Sequence, residues 1–176
     1  ELYAVGNEAE VRPALERLQL NDSRLQVVHA SEVLTMTDKP IEGLRRKKDS
    51  SILRAMELVR DGQADAVIST GNTGGILAAA TIRLRPLEGV DRPGIATVIP
   101  TDSSRFVLLD SGANVEAKPL HLVQYAVMGS AYSRLCLQCE RPRIGLMSNG
   151  TEDNKGNALT QEALRLCRAL DLNFVG

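Results

Sequence analysis

A chain of 176 residues, 43% hydrophobic and 24% charged, is long enough to bury a core and lies outside the polar, highly charged range of chains that stay disordered. Its formal net charge of −1 at pH 7 and its 3% aromatic content without Trp argue against a nucleic-acid partner, a base-stacking platform and an aromatic carbohydrate cleft. An odd count of Cys, 3, and the lack of any apolar run of about 18 residues argue against a secreted disulfide framework and a membrane-spanning helix, so a cytoplasmic protein is expected.

Short β-rich runs alternate with helical patterns, the order expected of parallel strands covered by crossover helices. Residues 2–5 read as a strand, followed by a helix with Val11, Leu15 and Leu18 on one face. Residues 25–30 read as the next strand and residues 31–49, polar and holding Pro40, as a long connection; Ile52, Met56 and Val59 then mark another helix. Near-continuous apolar runs follow at 66–69, 95–99, 106–109 and 144–147, the pattern of central strands buried on both faces. Helices are expected over 76–84, 120–135 and 159–170, the last with Leu159, Ala163, Leu166 and Leu170 on one side. Because residues 100–105 alone separate two of the runs, that pair reads either as part of a parallel sheet or as an antiparallel hairpin in a mixed one.

In open α/β sheets ligands bind beyond the carboxyl ends of strands, so the strand-to-helix loops are the candidate sites. STGNTGG at 69–75, DSGANVEAKP at 110–119 and SNGTEDNKGN at 148–157 combine Gly with Asn and with hydroxyl or charged side chains. Each reads either as a tight turn or as a cradle of backbone N–H groups for an anion, phosphate above all, at a helix N-terminus. The nucleotide fingerprints are absent: GNTGG is not GxGxxG, and Lys155 precedes Gly156 instead of standing between a Gly and a Ser or Thr. No GxSxG elbow occurs, and His29 and His121 read as structural. Cys136 and Cys139 form a CxxC with no second ligand pair, so no metal or cofactor is expected. Lys155, flanked by Gly156 and Asn157, is placed to meet an anion at the next helix start. The basic run RRKK at 45–48 reads either as a solvated face or as a docking patch for an acidic partner or a phosphate group.

RRKKDSS at 45–51, ISTGNTGG at 68–75, GVDRP at 89–93, LLDSGANVEAKPLHLVQYAVMGSAYS at 108–133 and GTEDNKGN at 150–157 together resemble the bacterial phosphate acyltransferases of phospholipid synthesis, the PlsX family. The resemblance runs in order from Val5 and Gly6 to the end of the chain. It implies an α/β fold of three-layer α/β/α type with a mostly parallel sheet, similar to isopropylmalate dehydrogenase and phosphotransacetylase. It also implies an enzyme that passes a long acyl chain from acyl carrier protein to inorganic phosphate, yielding an acyl phosphate for phospholipid synthesis. A cytoplasmic homodimer is implied as well, able to associate peripherally with the membrane through regions outside these residues. Residues 1–176 are then part of a single domain, short of the family's opening DxMGGD segment and of a substantial C-terminal part.

With that resemblance, Asn72, Thr73 and Gly74, together with Ser69 and Gly71, are expected to cradle the phosphate or the thioester. Lys155 is expected to neutralise the attacking phosphate or the oxyanion, with Gly156, Asn157 and Gly112 adding phosphate contacts. Asn114 and Asp110 would orient or hydrogen-bond, and Arg45, Lys47 and Lys48 would meet the acidic carrier protein or its phosphopantetheine phosphate. Thr70 and Gly75 stand where the family more often has Ala, and Ser148 where Asn is common. The alternatives are a short-acyl phosphotransacylase using coenzyme A and a non-catalytic scaffold that binds carrier protein through RRKK.

Overall fold

The computed structural model describes residues 1–112, 116–150 and 152–176, so the expected orienting residue Asn114 lies outside the described residues. The chain divides into two compact units, Glu1–Leu87 and Glu88–Gly176.

In the first unit, β1 (Leu2–Gly6) pairs in parallel with β2 (Leu25–His29), in register from Leu2 opposite Leu25 to Gly6 opposite His29. The crossover is α1 (Glu8–Arg17), capped by the Asn7 side chain and acidic in its first turn, where the helix dipole favours negative charge. His29 Nδ1 accepts a hydrogen bond from the Glu8 amide at 3.2 Å, which gives this histidine a structural role. Residues 31–49 are not a plain connection, because α2 (Pro40–Arg46) forms inside them. Pro40 sits at the helix start, where its fixed φ is favourable and its missing N–H is not required. A stretch that reads as a long connection thus holds a helix, and the burial of Gly43 and Leu44 holds it in place. Next, α3 (Ser51–Arg60) buries Ile52, Leu53 and Met56, and α4 (Thr73–Arg83) buries Ala79. Together with Leu34 and Leu44 these side chains form the core of the unit. The run 66–69 forms no strand: Val67 packs on the core while Ile68 is 95% exposed.

In the second unit, β3 (Thr97–Pro100) and β4 (Arg105–Leu108) form an antiparallel hairpin, the mixed-sheet alternative. Thr101 closes its turn, donating from its amide to the Ser104 carbonyl at 2.9 Å and accepting from the Ser104 amide on Oγ1 at 3.0 Å. The expected strand at 144–147 is reduced to a parallel bridge between Ile144 and Phe174. Burial on both faces is not reached: Phe106 and Met147 are exposed. Two helices, α5 (Pro119–Leu137) and α6 (Ala158–Arg168), pack on one another, and α6 turns Ala163 and Cys167 inward. His121 is buried, and its Nδ1 accepts from the Lys118 amide at 3.1 Å, capping α5. No described helix is long and apolar enough to cross a membrane.

Candidate functional site

The 69–75 loop enters α4 through Asn72, and burial dictates what that side chain does. It is buried, its Oδ1 accepts from the Gly75 amide at 2.9 Å, and its Nδ2 donates to the carbonyls of Thr35 and Asp38, each at 3.1 Å. Its carboxamide is therefore the pin that holds α4 against residues 35–38. The glycines serve the same approach: a Cβ on Gly75 would run into the Leu34 side chain, and one on Gly74 would come within 2.8 Å of Pro40 Cγ. Ser69 Oγ accepts from the Gly71 amide at 3.2 Å. What the loop leaves open at the start of α4 is the exposed pair Thr73 and Gly74, whose first-turn amides have no intrahelical acceptor.

Asp38 links this loop to the basic run. Its carboxylate accepts from Lys47 Nζ at 2.6 Å and from the Thr35 amide and hydroxyl at 2.7 and 2.9 Å. Lys47, with the Thr35 donors, brings the Asp38 carboxyl down to about 2. Lys47 Nζ also donates to the Val33 carbonyl at 2.8 Å, so this lysine ties residues 33–38 to the end of α2. Arg45 and Lys48 are exposed and form no ion pair among the described residues. Of the expected patch, Arg45 and Lys48 are thus available to a partner, while Lys47 is engaged internally.

In the second unit, the Asp110 carboxylate accepts from the Ile95 amide at 3.2 Å, and Ser111 Oγ lies 2.7 Å from Thr97 Oγ1. Gly112 has a φ of +100°. The 148–157 loop is organised around the start of α6. Asn157 caps the helix reciprocally with Thr160: the Asn157 side chain accepts from the Thr160 amide, and the Asn157 amide donates to Thr160 Oγ1, both at 3.0 Å. The Gly156 amide donates to Asn149 Oδ1 at 2.8 Å. Gly156 is required here by its φ of +89° and by Thr160 and Ser148, which a Cβ would strike.

Charge separates this loop from the first. Asp153 is matched by Arg168, two hydrogen bonds of 2.7 Å running from the guanidinium to its carboxylate. Lys155 is exposed and forms no ion pair among the described residues. It borders a recess of about 230 Å³ lined also by Ser148, Gly150, Thr160 and Leu164 and by the carboxylate residues Glu152 and Asp153, the latter paired with Arg168, and the volume is below the range of about 300–1,000 Å³ common for drug-sized ligands. Lys155, the hydroxyls of Ser148 and Thr160 and the start of α6 are groups that favour an anion, and Glu152 in the same recess opposes one.

The structure thus brings Asn72 together with Lys47 through Asp38, and Lys155 together with Gly156 and Asn157. Thr35, Asp38, Asn149 and Thr160 were not anticipated. The sequence held a signal for one of these, Thr160: Asn157-Ala-Leu-Thr160 has capping-box spacing with Thr in place of the usual acid or amide. Among the described residues no cluster of three or more His, Cys, Asp or Glu could hold a metal ion.

Known proteins resemble the chain over its whole length. It is 47% identical over 177 residues to a phosphate acyltransferase of Bacillus pumilus, covering 100% of this chain and 52% of the relative. To a phosphate acyltransferase of Myxococcus xanthus it is 49% identical over 178 residues, covering 100% of this chain and 50% of the relative. The chain therefore spans about half the length of these curated relatives. Among solved structures, the EutD phosphotransacetylase from Staphylococcus aureus matches with a TM-score of 0.63 at 21% identity, over 99% of this chain and 58% of that one. That likeness is one of fold and agrees with the α/β class. A family model described as fatty acid synthesis protein matches residues 1–176, and to that family the chain belongs.

Proposed function

We propose that the protein to which these residues belong is a phosphate acyltransferase that moves a fatty acyl group from acyl carrier protein to inorganic phosphate, within a single catalytic domain that includes both units. Relatives named phosphate acyltransferase, 47–49% identical over the whole chain, support the reaction class. A phosphate oxygen attacks the thioester carbonyl, the tetrahedral intermediate expels the carrier thiolate, and protonation of that thiolate completes the exchange. Phosphate is itself the nucleophile, so the protein has to hold one anion beside a carbonyl and stabilise a second negative charge as it develops. The observation that carries this reading is Lys155, a lysine without an ion pair among the described residues, on the rim of a small recess at the start of α6. In this proposal Lys155 neutralises the phosphate or the oxyanion, while the α4 amides of Thr73 and Gly74 and the loop bearing Asp110, Gly112 and Asn114 contribute further contacts. Asn72 positions its loop, and Arg45 and Lys48 receive the acidic carrier protein. A cytoplasmic homodimer with peripheral membrane contact completes the reading.

The test is acyl-phosphate formation by the full-length protein, trapped as the hydroxamate with hydroxylamine. Product is expected with acyl carrier protein thioester and phosphate together, and not when either is left out. Equal turnover of short-chain coenzyme A thioesters would assign it instead as a phosphotransacylase of small acyl groups, and no turnover of any thioester would make it a binding scaffold.

A further inference from the structure

The GVDRP motif at 89–93 belongs to a segment that holds both ends of the 110–119 loop. That segment, residues 89–96, leads into β3. At the loop's entry the Ile95 amide donates to the Asp110 carboxylate and the Ser111 amide donates back to the Ile95 carbonyl, each at 3.2 Å. At its exit Arg92 Nη1 donates to the Glu116 carbonyl at 3.2 Å. The segment is itself anchored to α5 by Gln124, whose Nε2 donates to the Gly89 carbonyl at 2.9 Å and whose Oε1 accepts from the Asp91 amide at 3.1 Å. Packing fixes the same approach: a Cβ on Gly94 would come within 2.7 Å of Leu109 Cδ2 and 3.1 Å of Cε1 of the buried Tyr125. Entry, exit and helix are thus joined through residues 89–96. A surface loop, ordinarily among the more mobile parts of a fold, is referred in this way to the frame of a 19-residue helix.

We propose that Arg92 and Gln124 are positioning residues for phosphate: they fix the backbone at Asp110–Gly112 and at Glu116 without touching the anion themselves. This rests on the reading that the 110–119 loop contributes phosphate contacts. Groups that bind an anion act fully only when held within about 0.5 Å of the productive geometry, and Gly112, at a φ of +100°, has no side chain of its own to hold the turn. The two residues divide the task. Arg92 reaches the loop directly, and its guanidinium makes a charge-assisted hydrogen bond, stronger than a neutral one. Gln124 acts one step removed, by keeping Gly89 and Asp91 on α5 so that Arg92 meets Glu116. Its side chain is neutral, so its effect on phosphate carries no charge contribution and reports positioning alone.

The test uses the full-length protein with Arg92→Met and Gln124→Met, which remove the hydrogen-bonding groups and keep an unbranched side chain. Affinity for inorganic phosphate is read by isothermal titration calorimetry, and KM for phosphate and for acyl carrier protein by hydroxamate trapping. Each single variant should weaken phosphate about fivefold, in Kd and in KM alike, with KM for the carrier protein unchanged. Because both residues act through one segment, the double variant should stay near the single ones, well short of the roughly 25-fold expected of independent sites. A phosphate Kd for Gln124→Met within about twofold of the unsubstituted protein, at equal folded fraction, overturns the proposal. So does a carrier-protein KM that rises in step, or a double variant at the product of the singles. Should Arg92→Met fail to fold, Gln124→Met alone carries the test. If the unsubstituted protein binds phosphate but forms no acyl phosphate, the reaction reading fails and the calorimetric comparison still decides this one; absence of phosphate binding overturns both.

Discussion

The loops at 69–75 and 148–157 share a vocabulary of Gly, Asn and hydroxyl residues between an apolar run and a helix, yet they are built in opposite ways. In the first, the amide side chain is buried and all its hydrogen bonds are internal, and the glycines exist so that α4 can lie against Leu34 and Pro40. In the second, the polar groups close a surface turn and a helix cap, and Lys155 forms no ion pair among the described residues. Similar residues thus yield a joint in one place and an anion seat in the other. The distinction lies in which polar atoms the fold itself consumes.

That contrast can be broken most directly at Lys155. In the full-length protein Lys155→Ala should slow acyl-phosphate formation by about 10²-fold or more, the roughly 3 kcal/mol typical of a lost anion partner, with an unchanged melting temperature. Asn72→Ala should act in the opposite sense: losing a helix cap and leaving two carbonyls without a donor should cost about 2–3 kcal/mol of stability, read by urea unfolding. Gly156→Ala should cost about 1–2 kcal/mol in the same experiment, because alanine is strained at positive φ and its Cβ meets Thr160. Reversing charge at Arg45 and Lys48 should raise KM for acyl carrier protein about threefold to tenfold at low ionic strength. That effect should fade with added salt and leave KM for phosphate unchanged.

Smallest is a pH effect on the α2–α4 corner. The Asp38 carboxyl is lowered from 3.8 to about 2 by Lys47 and Thr35. A depressed carboxylate contributes its stability above the unfolded value and loses it on protonation. The corner should therefore weaken as pH falls from about 4 to about 2, and Asp38→Asn should remove that component from the acid-unfolding curve.

Much of the architecture was legible because it depends on local periodicity. The apolar spacing of Ile52 and Met56 matches the buried face of α3, whereas on the last helix Ala163 is buried beside Cys167 and Leu170 of the expected face is exposed; the parallel β1–β2 pair follows from its crossover. Sequence failed where one residue type has two structural uses. Pro40 lies in what reads as a long connection but starts α2, and Lys47 reads as one of four like charges, although Asp38, nine positions earlier, claims it. The run 66–69 has the composition of a buried strand and a solvent-facing Ile68, because burial depends on neighbours that local pattern does not specify. Asn72 was singled out for its setting among glycines, and only its distance contacts to Thr35 and Asp38 reveal its part as a pin.

The decisive measurement is the rate of acyl-phosphate formation per folded molecule for full-length Lys155→Ala and Asn72→Ala side by side, each sample's folded fraction taken from its own unfolding curve. Lys155→Ala should be fully folded and at least about 10²-fold slow, and Asn72→Ala less stable but within about tenfold of the unsubstituted protein once corrected for folding. The reverse pattern, a stable but inactive Asn72→Ala beside an active Lys155→Ala, would contradict the division of the two loops into joint and anion seat.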